Sequence, residues 1–438
     1  KSHCRLLVQN QKLKKILLFT FILVSQLLAQ PDFVMQQDII QSGKYFNSEI
    51  HFFPSDQDYL VYYSYKISYS QLFFEKKTDL FIAGFSVNIE VRDSSGKIVT
   101  RAFDDKKISV ENFELTNSQN VFLQGVVSFN LPEGKYDILA IISDQISKRE
   151  RRIPPIDIEI RKSKTILNPI VFEPSKIKCD GLDSYVLSNN SASIPFNKPT
   201  NDLVIPVTDP KINSLNIIVK RGDAVLVANE TITESFLANP VIKLCDDRVV
   251  IRQNTDTTKL KIFLVKDFSS KLTEGPIQIE IYTDESEKDK QIYNLNVIWI
   301  GRPISLSDPE AAIKHIEIIE SKEVVSEIFS GSGNDNEKLF NYWSKQDPTP
   351  ETKFNELMNE FYTRVDYCET NFRTLAGNGG VKSDRGRTYI RFGPPDSIER
   401  DTDNDDKVVE SWTYKKSQRK FVFVDAEGTG KFTLVNGQ

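Results

Sequence analysis

A chain of 438 residues, 39% hydrophobic and 27% charged, carries enough apolar material for about three domain cores. Its formal net charge of -5 becomes -10 once the five basic residues of the first 29 (Lys1, Arg5, Lys12, Lys14 and Lys15) are set aside. An acidic remainder without a dense basic run excludes nucleic acid, whose phosphates need clustered Lys and Arg, and an electrostatic grip on anionic lipid.

The amino-terminal segment has the layout of a secretory leader. Lys12, Lys14 and Lys15 precede an apolar stretch from Ile16 to Leu28, and Ala29 offers a small residue for cleavage before Gln30. The apolar stretch falls short of the roughly 20 residues that span a bilayer. The expectation is an exported protein with no transmembrane span after leader removal, placed in the periplasm, on the outer-membrane surface or outside the cell. Cys4 lies ahead of the basic residues, which disfavours lipid attachment. Export permits disulfides, and Cys179 and Cys245 fall in one predicted module where they could pair.

Residues 30–164 read as a first antiparallel β-sandwich of immunoglobulin-like character. Val61–Phe74 mixes aromatic and polar residues in near-alternation, and Leu80–Asp93 ends in a turn at Ser94-Ser95-Gly96. Val121–Asn130 and Lys135–Asp144 flank Leu131-Pro132-Glu133-Gly134, and Ile153-Pro154-Pro155-Ile156 opens a last strand. Residues 165–302 repeat the theme as a second sandwich. Arg221-Gly222-Asp223 is read there as hairpin chemistry rather than as an integrin-type tripeptide.

From 303 the period changes to that of helices. Ser307 and Glu310 form a predicted capping box around Pro309. Ile313, Ile316, Ile319, Val324, Val325 and Ile328 recur at helical spacing. A second helix carries Leu339, Phe340 and Trp343 up to the break at Asp347-Pro348. A third presents Phe354, Leu357, Met358, Phe361, Val365, Cys368 and Phe372 on one face, which makes Cys368 a buried free thiol. Asp384, Arg385 and Arg387 are expected to precede a strand over Thr388–Phe392, with a rigid turn at Gly393-Pro394-Pro395-Asp396. The fold class is therefore mainly β, with two sandwiches followed by an α+β domain of helices on a small antiparallel sheet over 303–438.

Several segments of that last domain occur in the order of a known family. Tyr342-Trp343-Ser344-Lys345-Gln346-Asp347-Pro348-Thr349-Pro350, Gly379-Gly380-Val381-Lys382-Ser383-Asp384-Arg385-Gly386-Arg387, Tyr389 to Asp396, Glu410-x-Trp412-x-Tyr414 and Phe421 to Asp425 together resemble the GWxTD family. The resemblance covers about residues 303 to 435. Val381 stands where the naming motif has Trp and Ser383 where it has Thr, so the hydroxyl is kept and the aromatic ring is lost. The resemblance implies an exported bacterial protein with β-rich regions ahead of this domain, and it implies no particular activity.

Two readings of the motif compete. In one, Asp384 and the arginines lock a turn. In the other, Arg385, Arg387 and Arg391 offer fork donors to an anionic ligand. The candidate binding residues are Trp343, Asp347, Asp384, Arg385, Arg387, Asp396 and Trp412. His51 and His315 have no catalytic context, no serine stands in a nucleophile elbow, and no zinc spacing or phosphate loop is present. Asp401-x-Asp403-x-Asp405 opens like a calcium loop but lacks its glycine and its closing Glu, so it reads as an acidic hairpin. No cofactor and no metal site are expected. The function expected is a non-catalytic interaction or scaffold protein of the bacterial envelope, with an envelope protein as partner. The alternative is a glycan-binding protein using Tyr342, Trp343 and Trp412, and less favoured still is a hydrolase using Asp384 or Asp396.

Overall fold

The structure, a computed structural model, describes residues 46–437 except 57, 119–120, 190, 198–199, 255–259, 284–289, 374–378 and 404. The expected leader, 1–29, lies outside the described residues. The chain divides into two compact units. The first combines the chain up to Ile194 with Asn201–Lys266 and Pro276–Asn296. The second comprises Pro195–Thr200, Asp267–Gly275 and the run from Val297.

In the first unit, β1 (Phe46–Pro54), β2 (Tyr59–Ser68) and β6 (Phe122–Leu131) form an antiparallel sheet in the order β1-β2-β6. The second sheet has the order β3 (Glu75–Lys77), β4 (Leu80–Asp93), β7 (Gly134–Asp144) and β8 (Glu150–Arg152). There β5 (Ile98–Val110) also pairs with β4 and β9 (Ile156–Ile160) with β7. A single turn, α1 (Phe113–Thr116), follows β5. Period-2 patterning makes this second sheet: Ala83, Phe85, Val87, Ile89 and Val91 of β4 and Tyr136, Ile138, Ala140 and Ile142 of β7 all point inward and are buried.

The region expected to be a second sandwich consists of a ring and a sheet. β10 (Ile170–Cys179), β11 (Leu182–Leu187), β17 (Arg248–Asn254), β16 (Ser235–Cys245), β18 (Leu260–Val265) and β13 (Asp202–Val207) close on one another in that order. β12 (Ser193–Pro195), β20 (Gln291–Ile298), β19 (Gly275–Thr283), β14 (Leu215–Arg221) and β15 (Ala224–Ile232) form a five-stranded sheet. Gly222 and Asp223 make the two-residue turn between β14 and β15, with Arg221 paired to Ala224 and Gly222 at φ +54°, where glycine is favoured. Cys179 and Cys245, at the ends of β10 and β16, are joined in a disulfide with their Cα atoms 5.7 Å apart.

The expected boundary at 164/165 falls inside this unit. One apolar cluster runs from Phe46 through Tyr63, Val87 and Ile138 to Ile170, Phe172, Ile242 and Ile251. β2 is buried on both faces because the ring covers the side that the β4–β7 sheet leaves open. The Gln124 side chain of β6 accepts from the Val249 amide of β17 at 3.2 Å across that junction.

In the second unit, α2 (Pro309–His315), α3 (Lys322–Ser330), α4 (Asp335–Ser344), α5 (Glu356–Asn371) and α6 (Asp384–Phe392) precede a sheet ordered β21 (Ser397–Thr402), β22 (Val408–Tyr414), β23 (Arg419–Asp425) and β24 (Phe432–Gly437). The capping box expected at Ser307 and Glu310 is not formed. Asp308 caps α2, accepting from the Ala311 amide, and Pro309 takes the first helical position where its missing N–H costs nothing. The Ser307 hydroxyl donates instead to the Ile304 carbonyl. A capping box does occur at Asn334 and Glu337, at the start of α4. Cys368 is the buried free thiol expected, donating to the Gly386 carbonyl, and burial pushes its pKa up to about 12.

Candidate functional site

The strand expected over Thr388–Phe392 is helix. Ser383 is the N-cap of α6, its hydroxyl oxygen accepting from the Gly386 amide at 3.0 Å, and Asp384 supplies the acidic first turn. The hydroxyl kept at 383 thus starts the helix. Gly380 and Gly386 are required by close approach: a Cβ on Gly386 would lie 2.0 Å from the Gly380 carbonyl oxygen, and one on Gly380 1.8 Å from that of Cys368. Val381, between them, is buried.

On a helix the motif's charges diverge rather than alternate. Arg385 turns inward and is 6% exposed, whereas Arg387, two positions on, is exposed. Arg391 donates through Nε to the Ile318 carbonyl at 2.8 Å. The three arginines therefore do not converge on a ligand. Asp384 accepts from the Leu434 amide of β24 at 2.8 Å. Asp396, beyond the α6–β21 turn, accepts from the Lys415 amide at 2.6 Å. Asp347 accepts from the Thr349 amide at 2.9 Å and folds the Asp347-Pro348-Thr349 turn. Asp384, Asp396 and Asp347 each accept from a backbone amide, and the cap expected of Asp384 is supplied by Ser383.

The centre of the lock is Glu410 on β22, which is 1% exposed. One carboxylate oxygen accepts from the Trp412 indole at 2.6 Å and the other from Arg400 Nε at 2.7 Å. Arg385 lies 3.5 Å from that second oxygen. Its guanidinium is stacked between the Phe432 and Phe372 rings, 3.9 and 4.9 Å from their centroids. Its Nη2 donates to the Gly430 carbonyl, and its Nε is buried with no hydrogen-bond partner. Asp425 holds the same loop by accepting from the Thr429 and Gly430 amides. Burial pulls the Arg385 pKa down, and the neighbouring Glu410 opposes that pull.

Trp343 and Trp412, expected as binding residues, are 1% and 0% exposed. Trp343 donates to the Tyr362 hydroxyl, which donates in turn to the Ala312 carbonyl; Trp412 packs on Phe372 and Phe423. Neither presents a face on which a sugar could stack, because the helices and sheet cover both. Sequence reasoning passed over Glu410, Arg400, Asp425 and Phe432. The available signal was Glu410-x-Trp412-x-Tyr414, whose period of two puts a carboxylate on the same face as two large aromatics. A buried acid there demands a cation.

Asp401, Asp403 and Asp405 belong to the β21–β22 hairpin. Asp403 accepts from the Asp405 and Lys407 amides, and Lys407 pairs with Asp405 at 3.0 Å. Among the described residues, no group of three or more His, Cys, Asp or Glu is placed to hold a metal. Replacing Asp384 with alanine is expected to cost about 1 kcal/mol, the value of one backbone amide bond to a charged acceptor at a partly exposed site. Faster hydrogen exchange at Leu434 than in the parent checks this, and unchanged exchange refutes it.

A second polar cluster lies in the first unit. The Glu49 carboxylate accepts from the Ala192 amide at 2.7 Å, and Ser48 and Ser191 exchange hydrogen bonds. His51 is buried, with its Nε2 3.5 Å from the Asn189 amide nitrogen and its Nδ1 unpartnered, as is the Tyr63 hydroxyl. Burial raises Glu49 to about 7 and lowers His51 to about 4. Relative to the unfolded chain, the folded chain holds an extra proton at Glu49 between pH 4.5 and 7 and lacks one at His51 between pH 4 and 6.5. The two slopes of stability against pH oppose each other. His51→Asn removes only the rising one. The variant should therefore lose on the order of 2 kcal/mol relative to the parent as pH rises from about 4.5 to 7. Urea midpoints across that range test this; parallel curves for the two proteins would contradict it.

A comparison with protein families matches the GWxTD domain to residues 282–436. The match begins earlier than the 303 expected and takes in β20. No curated protein matches the chain.

Proposed function

We propose that this chain, whose carboxyl-terminal region is a GWxTD domain, is an exported bacterial cell-envelope protein of interaction or scaffold type. The GWxTD domain serves as a docking module behind a β-rich body. The observation that carries the non-catalytic part is the engagement of Asp384, Arg385, Asp396 and Glu410 with backbone amides, carbonyls and one another. Carboxylates held in this way are poorly placed as a general acid or base, which weighs against the hydrolase reading. The Cys179–Cys245 disulfide and the leader-like first 29 residues support export. Among the described residues no helix is long and apolar enough to cross a membrane.

Expression of the whole chain in a bacterium tests the compartment. The expected product starts near Gln30, fractionates with the envelope or medium, and has Cys179 and Cys245 blocked to thiol reagents. A cytoplasmic product with residues 1–29 intact and both thiols free would overturn the proposal.

A further inference from the structure

Among the described residues β5 pairs with β4 and with no other strand, so one side of its backbone stays open. Side chains alternate along it. Ala102, Asp104 and Lys106 face inward and are half-buried, while Arg101, Phe103, Asp105 and Lys107 face solvent and are exposed. On the inward face charge is balanced within the chain: Asp104 accepts from the Tyr65 hydroxyl at 2.8 Å and pairs with Lys106 at 3.2 Å. The outer face lacks that balance. Phe103, opposite Asn88 of β4, is 64% exposed. Arg101 and Arg92 share the one carboxylate of Glu90, at 3.1 and 2.6 Å, which leaves this group a positive charge in excess. Asp105 accepts from the neutral Gln145 amide at 3.0 Å and has no paired cation among the described residues.

A two-fold axis normal to the sheet would join two such edges into one antiparallel sheet. Both copies keep the same face to solvent only if the axis passes through a residue, because side-chain direction has a period of two. Within 101–107, an axis through Arg101, Asp104, Asp105, Lys106 or Lys107 sets a charge against its own copy, which destabilises the pair. An axis through Ala102 brings no opposite charges together. An axis through Phe103 sets the exposed ring against its own copy and places Arg101 opposite Asp105 on both sides.

We propose that β5 is a dimerisation edge whose partner is β5 of a second copy of this chain, in antiparallel register about Phe103. The excess positive charge around Glu90 in each copy meets the uncompensated Asp105 carboxylate of the other, and aromatic and opposite-charge cross-strand pairs are both favourable. The contact is short, so the dimer is weak and concentration-dependent. Charges on an edge strand also serve to keep edges apart. That role is indifferent to which sign stands at 101 and which at 105.

Sedimentation of the product of whole-chain expression, over a concentration series at low salt, tests the proposal. A concentration-dependent dimer is the expected result. Arg101→Asp and Asp105→Arg each set like charges together on both sides of the axis and should weaken the dimer by at least about tenfold, with unchanged circular dichroism. The double variant exchanges the two charges and should return to near the affinity of the parent. On mild oxidation Phe103→Cys should give a disulfide-linked dimer. Lys107→Cys should not, because its two thiols would lie about 26 Å apart in this register. A monomer at every concentration, single variants that dimerise like the parent, a double variant no better than the singles, or linkage in Lys107→Cys equal to that in Phe103→Cys overturns the proposal.

Discussion

Replacing Glu410 with alanine is expected to destabilise the second unit by about 3–5 kcal/mol, the cost of leaving a buried cation without its partner. Arg385 would keep its place between two phenylalanine rings, with Glu410 no longer 3.5 Å away and its Nε already unpaired. Trp412 would lose its acceptor in the same step. Glu410→Gln retains that acceptor and removes only the charge, so it should fall between parent and alanine. Combining Glu410→Leu with Arg385→Met removes both charges and should recover much of the loss, since a buried ion pair is often no better than an apolar pair of similar volume. All three tryptophans, Trp299, Trp343 and Trp412, belong to the second unit. Urea unfolding followed by tryptophan emission therefore reads this unit selectively. A midpoint shift in Glu410→Ala worth less than about 1 kcal/mol, the scale of an exposed pair, would refute the buried-lock description.

Removal of the Cys179–Cys245 cross-link should be comparably costly and confined to the first unit. The bridge closes a separation of 66 residues, for which the chain-entropy account gives roughly 4 kcal/mol. Both cysteines sit where hairpins end, next to turns with left-handed backbone at Asp180, Gly181 and Asp246. The reduced chain would regain freedom mainly in the ring of strands. Melting followed by far-ultraviolet circular dichroism, with and without reductant, should show the β transition moving down while the tryptophan-reported transition stays. Identical melts in both conditions would rule out a stabilising bridge.

What the sequence disclosed depended on how each element is buried. β4 and β7 have one face in the core and one toward water, so alternation displays them directly. β2 is covered on both sides, so the near-alternation read over Val61–Phe74 does not mark which face is buried. The ring of β10, β11, β13, β16, β17 and β18 depends on pairings far apart in the chain, which local patterning does not encode. α6 was missed for another reason. Thr388, Tyr389, Ile390 and Phe392 favour strands, and tertiary packing of Arg385, Thr388 and Ile390 overrode that preference once Ser383 supplied a cap. The candidate site was legible in its membership and misread in its geometry. Asp384, Arg385, Asp396 and Trp412 were identified by resemblance, while their mutual arrangement required knowing that Glu410 points inward.

The two-sided burial of β2 carries a consequence for how this polypeptide can be divided. Severed between residues 164 and 165, each half would present to water a broad oily flank that the other now covers. Neither half should persist alone in dilute solution, and mixing the two should restore solubility.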